Sequence, residues 1–369
     1  MSIIKKIQKL IYPLTSRYLS NATLVEGMLK GTDKMFRCLF VENSKYEEIA
    51  VEKLFSETPH LLKKWKIWIP NLKSELKKNS DSIDLCIAVL PSNYKTLFDD
   101  LCAFKGQVCV RQIIDTSASW EKIFNAFHKK KRQYSNNVER KFGLSYTISH
   151  DIDDFDLFYY RMHLPHIRNQ FDELAAIDSY DDMKKFFLKG FLLLVVAEGQ
   201  KIAGALCLIE NNKLMFRRSG VLDGNEEFRK KNAQFALYYF NIRYASERGI
   251  KQVDTMMSDS FLHNGVYRTK REWGASVYPD DEDGSIVYYF IPDFSPKLAT
   301  LFEQNPVIIR EEDGLYVLAG WHGASAMAVL DKKEMCDKYY SPGLKGMILL
   351  APNGEKTKML FEIGETPEQ

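Results

Sequence analysis

The chain has 369 residues, more than one ordinary hydrophobic core organises, so two or three domains are expected. Hydrophobic residues make up 45% and charged residues 27%, the balance of a globular protein. A formal charge of only +2 excludes a whole-molecule field for DNA, so anion recognition has to come from local clusters.

The N-terminus, MSIIKKIQKLIYPL, sets Ile3, Ile4, Ile7, Leu10, Ile11 and Leu14 near helical spacing, with Lys5, Lys6 and Lys9 interleaved. It predicts an amphipathic helix within residues 1–30 packed on the body, with peripheral membrane contact through residues 1–14 as the alternative. It lacks the continuous apolar run of a signal peptide. No later run reaches the roughly 18 apolar residues that a spanning helix needs. Residues 31–115 alternate strand and helix signals and predict an α/β domain. FRCLFV, IDLCIAVLP and VCVRQIID read as strands. SKYEEIAVEKLFSE (44–57) and NYKTLFDDLCAF (93–104) read as helices, and the lysine-rich KSELKKNSDS (73–82) as a surface loop. The six cysteines form no C-x-x-C pair, so there is no zinc signature and no metal site is expected. Cys86, Cys109 and Cys207 lie in apolar runs as small hydrophobes, which fits a reduced, cytoplasmic compartment.

A long helix is expected from a cap at Thr116 or Ser117 to Phe142, stopped by Gly143. One face carries Trp120, Phe124, Phe127 and Tyr134; the other carries His128 to Arg132, Arg140 and Lys141. LSYTIS follows as a strand, then a helix through DLFYYRMHL that Pro165 should interrupt, then a helix over 179–190. FLLLVVAEG, KIAGALCLIE and KLMFRRSG read as three successive strands joined by hairpin turns. A helix over 232–249, the strand IKQVDTM and the stretch HNGVYRTKREWGA complete this part. Residues 291–369 read as a small β-rich C-terminal extension that either completes a sheet edge or forms an appendage.

Three stretches carry a family resemblance: HKKKRQYSNNVERKFGLSYTI (128–148), VVAEGQKIAGALCLIENNKLMFRRSG (195–220) and RGIKQVDTMMSDSFLHNGVYRTKREWGA (248–275). Their order resembles the GNAT acyltransferase superfamily, and more closely its Fem-type peptidyltransferase and polysaccharide-biosynthesis acetyltransferase-like branch. The resemblance implies a GNAT-like acyltransferase domain over residues 116–290, preceded by a degenerate tandem copy over 31–115. It implies an acyl- or aminoacyltransferase acting on an amine of a cell-envelope or polysaccharide precursor, such as a nucleotide-sugar-linked substrate. A CoA-dependent N-acetyltransferase of a small amine, and a non-catalytic binding protein that kept the fold, are the alternatives.

Acyl transfer to an amine needs the donor held near the acceptor, an unprotonated amine, and donors for the tetrahedral oxyanion. The resemblance sets Lys270 where the family element has its lysine, to stabilise charge on the donor or the oxyanion. Asp254 is placed to orient or deprotonate an amine, His263 has an unperturbed pKa near neutrality, and Tyr267 is placed to return a proton to the leaving group. The family's acyl-CoA loop corresponds to Arg229-Lys-Lys-Asn232-Ala-Gln234. Arg229, Lys230, Asn232 and Gln234 are the candidates there for an anionic donor. Neither of the loop's small residues is in place, which fits acyl-CoA poorly and the Fem-type branch better, with charged tRNA as an alternative donor. Lys130, Arg132, Arg140, Arg161, His163 and Arg168 are the candidate acceptor contacts, arginine being suited to bidentate phosphate binding.

Overall fold

The computed structural model describes residues 18–361, apart from 42–43, 80–81, 95–97, 99–101, 172–177, 281–283 and 324–328. The chain forms two compact units. One comprises the residues up to Val110, Asp259–Tyr267 and those from Pro279 on; the other comprises Arg111–Ser258 and Arg268–Tyr278. Most of the expected amphipathic helix lies outside the described residues. Within the expected 1–30 span, however, Leu19–Met28 is a strand, β1.

The first unit is built on one ten-stranded mixed sheet. Strands numbered along the chain are β1, β2 (Met35–Val41), β3 (His60–Trp68), β4 (Leu85–Pro91), β5 (Phe104–Gln107) and, much later, β13 (Ser285–Phe290), β14 (Val307–Glu311), β15 (Gly314–Gly320), β16 (Gly346–Leu350) and β17 (Lys356–Leu360). Their spatial order is β17-β16-β15-β14-β5-β13-β4-β2-β1-β3. Residues 291–369 are therefore not a separate extension. The strand before them, β13, pairs antiparallel with β4 from Ser285↔Pro91 to Phe290↔Cys86, and β14 pairs with β5. Alternation sends Cys38 and Phe40 into the core on one face and Leu39 and Val41 into the core on the other. The lysine-rich segment expected as a loop is partly a helix, Leu72–Lys78. Leu72 and Leu76, four residues apart, are buried beneath its charges.

The second unit holds a seven-stranded sheet in the order β12-β6-β11-β10-β9-β8-β7. These strands are β6 (Cys109–Asp115), β7 (Leu144–Ser149), β8 (Phe191–Ala197), β9 (Gln200–Glu210), β10 (Lys213–Val221), β11 (Gln252–Asp259) and β12 (Ser276–Pro279). β7 to β10 are antiparallel neighbours in sequence order, and β11 joins β10 in parallel after a helical crossover. This is a mixed α/β sheet with the order that the GNAT resemblance implies. The two tight hairpins turn at Glu198–Gly199 (φ 50° and 79°) and Asn211–Asn212 (φ 50° and 59°). Positive φ at both central residues matches the strand twist, and glycine and asparagine tolerate it.

Two helix expectations change. The single helix over 116–142 is broken into Trp120–Asn125 and Lys129–Ser135. At the break, the His128 N–H donates to the Glu272 carbonyl and the His128 ring accepts from the Lys130 N–H, starting a new helix. The helix before β8 is not interrupted at Pro165. Ile152–Leu157 runs into a π-helical turn, Phe158–His163, and on into Leu164–Phe171. The π turn is wider than an α turn, and it lies where a regular helix would press the proline ring against the Arg161 carbonyl.

Candidate functional site

β10 and β11 are paired over only three residues, Lys213↔Gln252, Leu214↔Val253 and Met215↔Asp254. β10 nevertheless runs on to Val221 and β11 to Asp259. Beyond Met215 the two strands therefore fork, and the backbone edge of β10 from Phe216 onward is not paired with β11. Two backbone irregularities sit at the fork. Arg217 is skipped in the β10–β9 register, and Met256 has φ 64°, which costs a non-glycine residue of order 1 kcal/mol or more.

The strained bend at Met256 is held by two residues that the sequence placed in catalysis. Asp254 is fully buried. Its Oδ1 accepts the Met256 N–H at 2.9 Å, and its Oδ2 accepts from Arg111 Nη1 at 2.8 Å, with Lys213 Nζ at 3.8 Å. Lys270, 3% exposed, donates to the carbonyls of Met256 at 3.2 Å and Met257 at 2.8 Å. Both carboxylate oxygens and two of the ammonium's N–H donors are thus engaged with backbone or with the buried pair, so Asp254 and Lys270 shape the fork. Lys270→Met is accordingly expected to lower unfolding free energy by about 1–3 kcal/mol, the cost of leaving buried acceptors unpaired. Urea unfolding checks this, and a wild-type midpoint would show that the brace carries no load.

The remaining predicted catalytic residues are His263 and Tyr267. His263 belongs to the first unit, where its exposed ring donates through Nδ1 to the Gln304 carbonyl at 2.8 Å. Tyr267 lies one turn before Lys270 on the helix Gly265–Glu272 and is fully buried.

A polar cluster forms along the unpaired length of β10. Gly220 packs its Cα against the π turn so closely that a Cβ there would lie 2.3 Å from the Met162 carbonyl carbon. This contact seats His163, 1% exposed, with Nδ1 3.3 Å from the Ser219 carbonyl. A carbonyl only accepts, so Nδ1 carries the proton and Nε2 the lone pair. Burial lowers the His163 pKa, keeping the ring neutral. Ser219 Oγ accepts from Gln234 Nε2 at 2.9 Å. Gln234 lies in the first turn of the helix Ala233–Glu247, whose N-cap, Asn232, is left-handed at φ 59°. Asparagine there supplies the conformation for which the loop motif would use glycine. Beside it, His166 is buried, and burial, then the Arg229 charge, push its pKa down to about 4.

Three buried atoms of this cluster have no hydrogen-bond partner among the described residues: His166 Nδ1, Arg229 Nη2 and Gln234 Oε1. Buried polar atoms are ordinarily satisfied, and each one left over costs about 1–3 kcal/mol. They come from three elements: Gln234 from the first turn of the fifteen-residue helix, Arg229 from the short helix Glu226–Lys230 before it, and His166 from Leu164–Phe171.

The other candidate contacts lie elsewhere. Lys130, Arg140, Arg168 and Lys230 are exposed. Arg161 forms a bidentate surface pair with Asp223 at 2.6 and 3.1 Å. Arg132 caps the carboxyl end of the helix Trp120–Asn125, its Nη1 donating to the carbonyls of Asn125 and Phe127. The buried cation of this run is Lys131, which the sequence reading passed over. Its Nζ is 3.2 Å from Glu272 and 3.3 Å from the Phe235 ring centroid, and burial lowers its pKa against the opposing pull of Glu272. The spacing Phe127, Lys131, Tyr134 already set it on the aromatic face. Ser219 and His166 carried no comparable signal, because neither the fork nor the π turn is visible as a periodicity.

No protein-family profile matches the chain, and no curated protein matches it in sequence. Solved structures similar to it include FemX, at 12% identity and a TM-score of 0.37 over 74% of this chain and 85% of that one. L-PGS from Bacillus licheniformis is similar at 10% identity and a TM-score of 0.36, over 76% and 84% of the two chains. A GCN5-related N-acetyltransferase from Kribbella flavida is similar at 11% identity and a TM-score of 0.27, over 79% and 96%.

Proposed function

We propose that the chain is an acyl- or aminoacyltransferase whose acyl donor lies in the fork between β10 and β11, with an amine as acceptor. The observation that carries this reading is the loss of β10–β11 pairing after Met215. A carbonyl-bearing donor lying along β10 from Phe216 to Val221 would meet backbone N–H and C=O groups already fixed in place, which is the kind of preorganised polarity that stabilises an oxyanion. Arg229 Nη2 and the amides at the first turn of the Ala233–Glu247 helix suit a phosphate of that donor, and Gln234 Oε1, an acceptor, suits a hydroxyl or N–H of it. They fit the anion of acyl-CoA or of the 3′ end of a charged tRNA, and the glycine-free loop favours the latter. His163, 1% exposed, holds the Ser219 carbonyl through Nδ1 and so positions β10 rather than meeting a solvent-borne amine. The acceptor we propose is an amine on a cell-envelope or polysaccharide precursor.

A ligand panel tests this reading. Acetyl-CoA, a nucleotide-sugar and an aminoacyl-tRNA are each added in a thermal-shift assay to the wild type and to Arg229→Gln. A ligand at 100 times its Kd stabilises the folded state by about 2.7 kcal/mol. At least one ligand is expected to raise the wild-type Tm and to lose most of that effect in Arg229→Gln. Stabilisation by acetyl-CoA alone favours the CoA-dependent N-acetyltransferase. No response from any of the three supports a binding protein that kept the fold without the reaction.

A further inference from the structure

In the first unit, β3 ends the strand order and is paired on one side only, with β1, among the described residues. Its sequence, HLLKKWKIW, holds three lysines and no acidic residue. Leu61 is 61% exposed and Leu62 47% exposed, and Leu19, opposite Trp68 on β1, is 45% exposed. Exposed leucines on an outer strand are an aggregation liability unless something manages them. Here they are set among Lys63, Lys64 and Lys66, all exposed. The strand's far end carries an aromatic pair, with the Tyr18 and Trp68 rings 5.3 Å apart. The chain reaches that end through residues 1–17, which contain Lys5, Lys6, Lys9 and Arg17 and no aspartate or glutamate.

We propose that this outer strand is a docking face for an anionic lipid bilayer. Leucines entering the acyl boundary, aromatic rings at headgroup depth and lysines on lipid phosphates are the three contacts an interfacial protein makes. All three residue classes occur on this nine-residue strand and at its Tyr18 end. A nucleic acid would satisfy the lysines but leave Leu61 and Leu62 in water. A second copy paired antiparallel along β3 would lay lysine against lysine, which is repulsive.

The test is co-sedimentation of the full chain with phosphatidylcholine vesicles, with and without 30 mol% phosphatidylserine, at low and high salt, beside a single-stranded RNA homopolymer. Binding is expected only to the anionic vesicles and is expected to weaken with salt. At about fivefold per basic side chain near an anionic leaflet, the triple variant Lys63→Gln, Lys64→Gln, Lys66→Gln should bind about a hundredfold more weakly. Leu61→Ser with Leu62→Ser should weaken binding further at high salt, where charge is screened. The wild type supplies a readout that does not depend on variants folding: vesicles should protect Lys63, Lys64 and Lys66 from acetylation, read by mass spectrometry. The proposal is overturned if the anionic vesicles are not bound, if binding persists with these lysines unprotected, or if RNA is preferred to the vesicles.

Discussion

Asp254→Ala is expected to destabilise the protein by about 3–5 kcal/mol, the range for removing one partner of a buried ion pair. The carboxylate is fully buried and bonded to Arg111, and the substitution leaves that guanidinium, itself only 14% exposed, without its 2.8 Å partner. It also releases the Met256 amide from its cap at a residue already held at φ 64°. Both consequences act on β11 where it leaves β10, so the fork should loosen as stability falls. Urea unfolding measures the first, and amide exchange at residues 255–257 measures the second. Asp254→Asn keeps the shape and an acceptor but not the charge, and should fall between alanine and the wild type. If Asp254→Ala kept full stability and lost only transfer, the carboxylate would be a catalytic group after all.

Trp273→Ala is expected to cost a similar amount, about 3–5 kcal/mol, by opening a cavity in the second unit's core. The indole is fully buried, edge-on to Phe127 at 5.0 Å and parallel to Tyr238 at 6.1 Å. Lys131 Nζ lies 5.5 Å from its ring centre, so the cavity also removes part of the surroundings of a buried cation. Trp273→Phe should recover much of the loss because it keeps an aromatic ring against Phe127. Thermal unfolding of the three proteins orders them as wild type, phenylalanine, alanine. A Trp273→Ala protein as stable as the phenylalanine variant would mean that the core collapses onto the cavity or that the indole contributes little packing.

The sheet of the second unit was legible because its signals are local. Apolar runs near strand length, turn signals at Gly199–Gln200 (one residue past the observed Glu198–Gly199 turn) and Asn211–Asn212, and Gly249 after a helical period place β8 to β11 closely. The first unit was less legible for two physical reasons. β3 is an outer strand whose three lysines mask its pairing, and β13 to β17 read equally as a sheet edge or an appendage because no local pattern reveals that β13 lies against β4, almost two hundred residues earlier in the chain. At the site, the chemistry of single residues misled. Aspartate, lysine and tyrosine near a forked strand look catalytic until their burial and partners are known. Asp254 and Lys270 prove to hold Met256, and Tyr267 is sealed in a core. The informative residues were Gly220, whose missing Cβ admits the π turn, and Ser219, whose carbonyl and hydroxyl connect His163 to Gln234. A sequence shows neither role, because each depends on a backbone approach between elements distant along the chain.

The claim on which the functional reading depends is that a ligand occupies the unpaired length of β10 and the first turn of the helix after it. Hydrogen exchange read by mass spectrometry addresses it directly, with and without saturating acetyl-CoA, a nucleotide-sugar or an aminoacyl-tRNA. The expected result is slowed exchange confined to peptides covering residues 216–221 and 232–236 with at least one of the three. Slowed exchange elsewhere with these peptides unchanged, or no change with any ligand, would contradict a donor site in the fork.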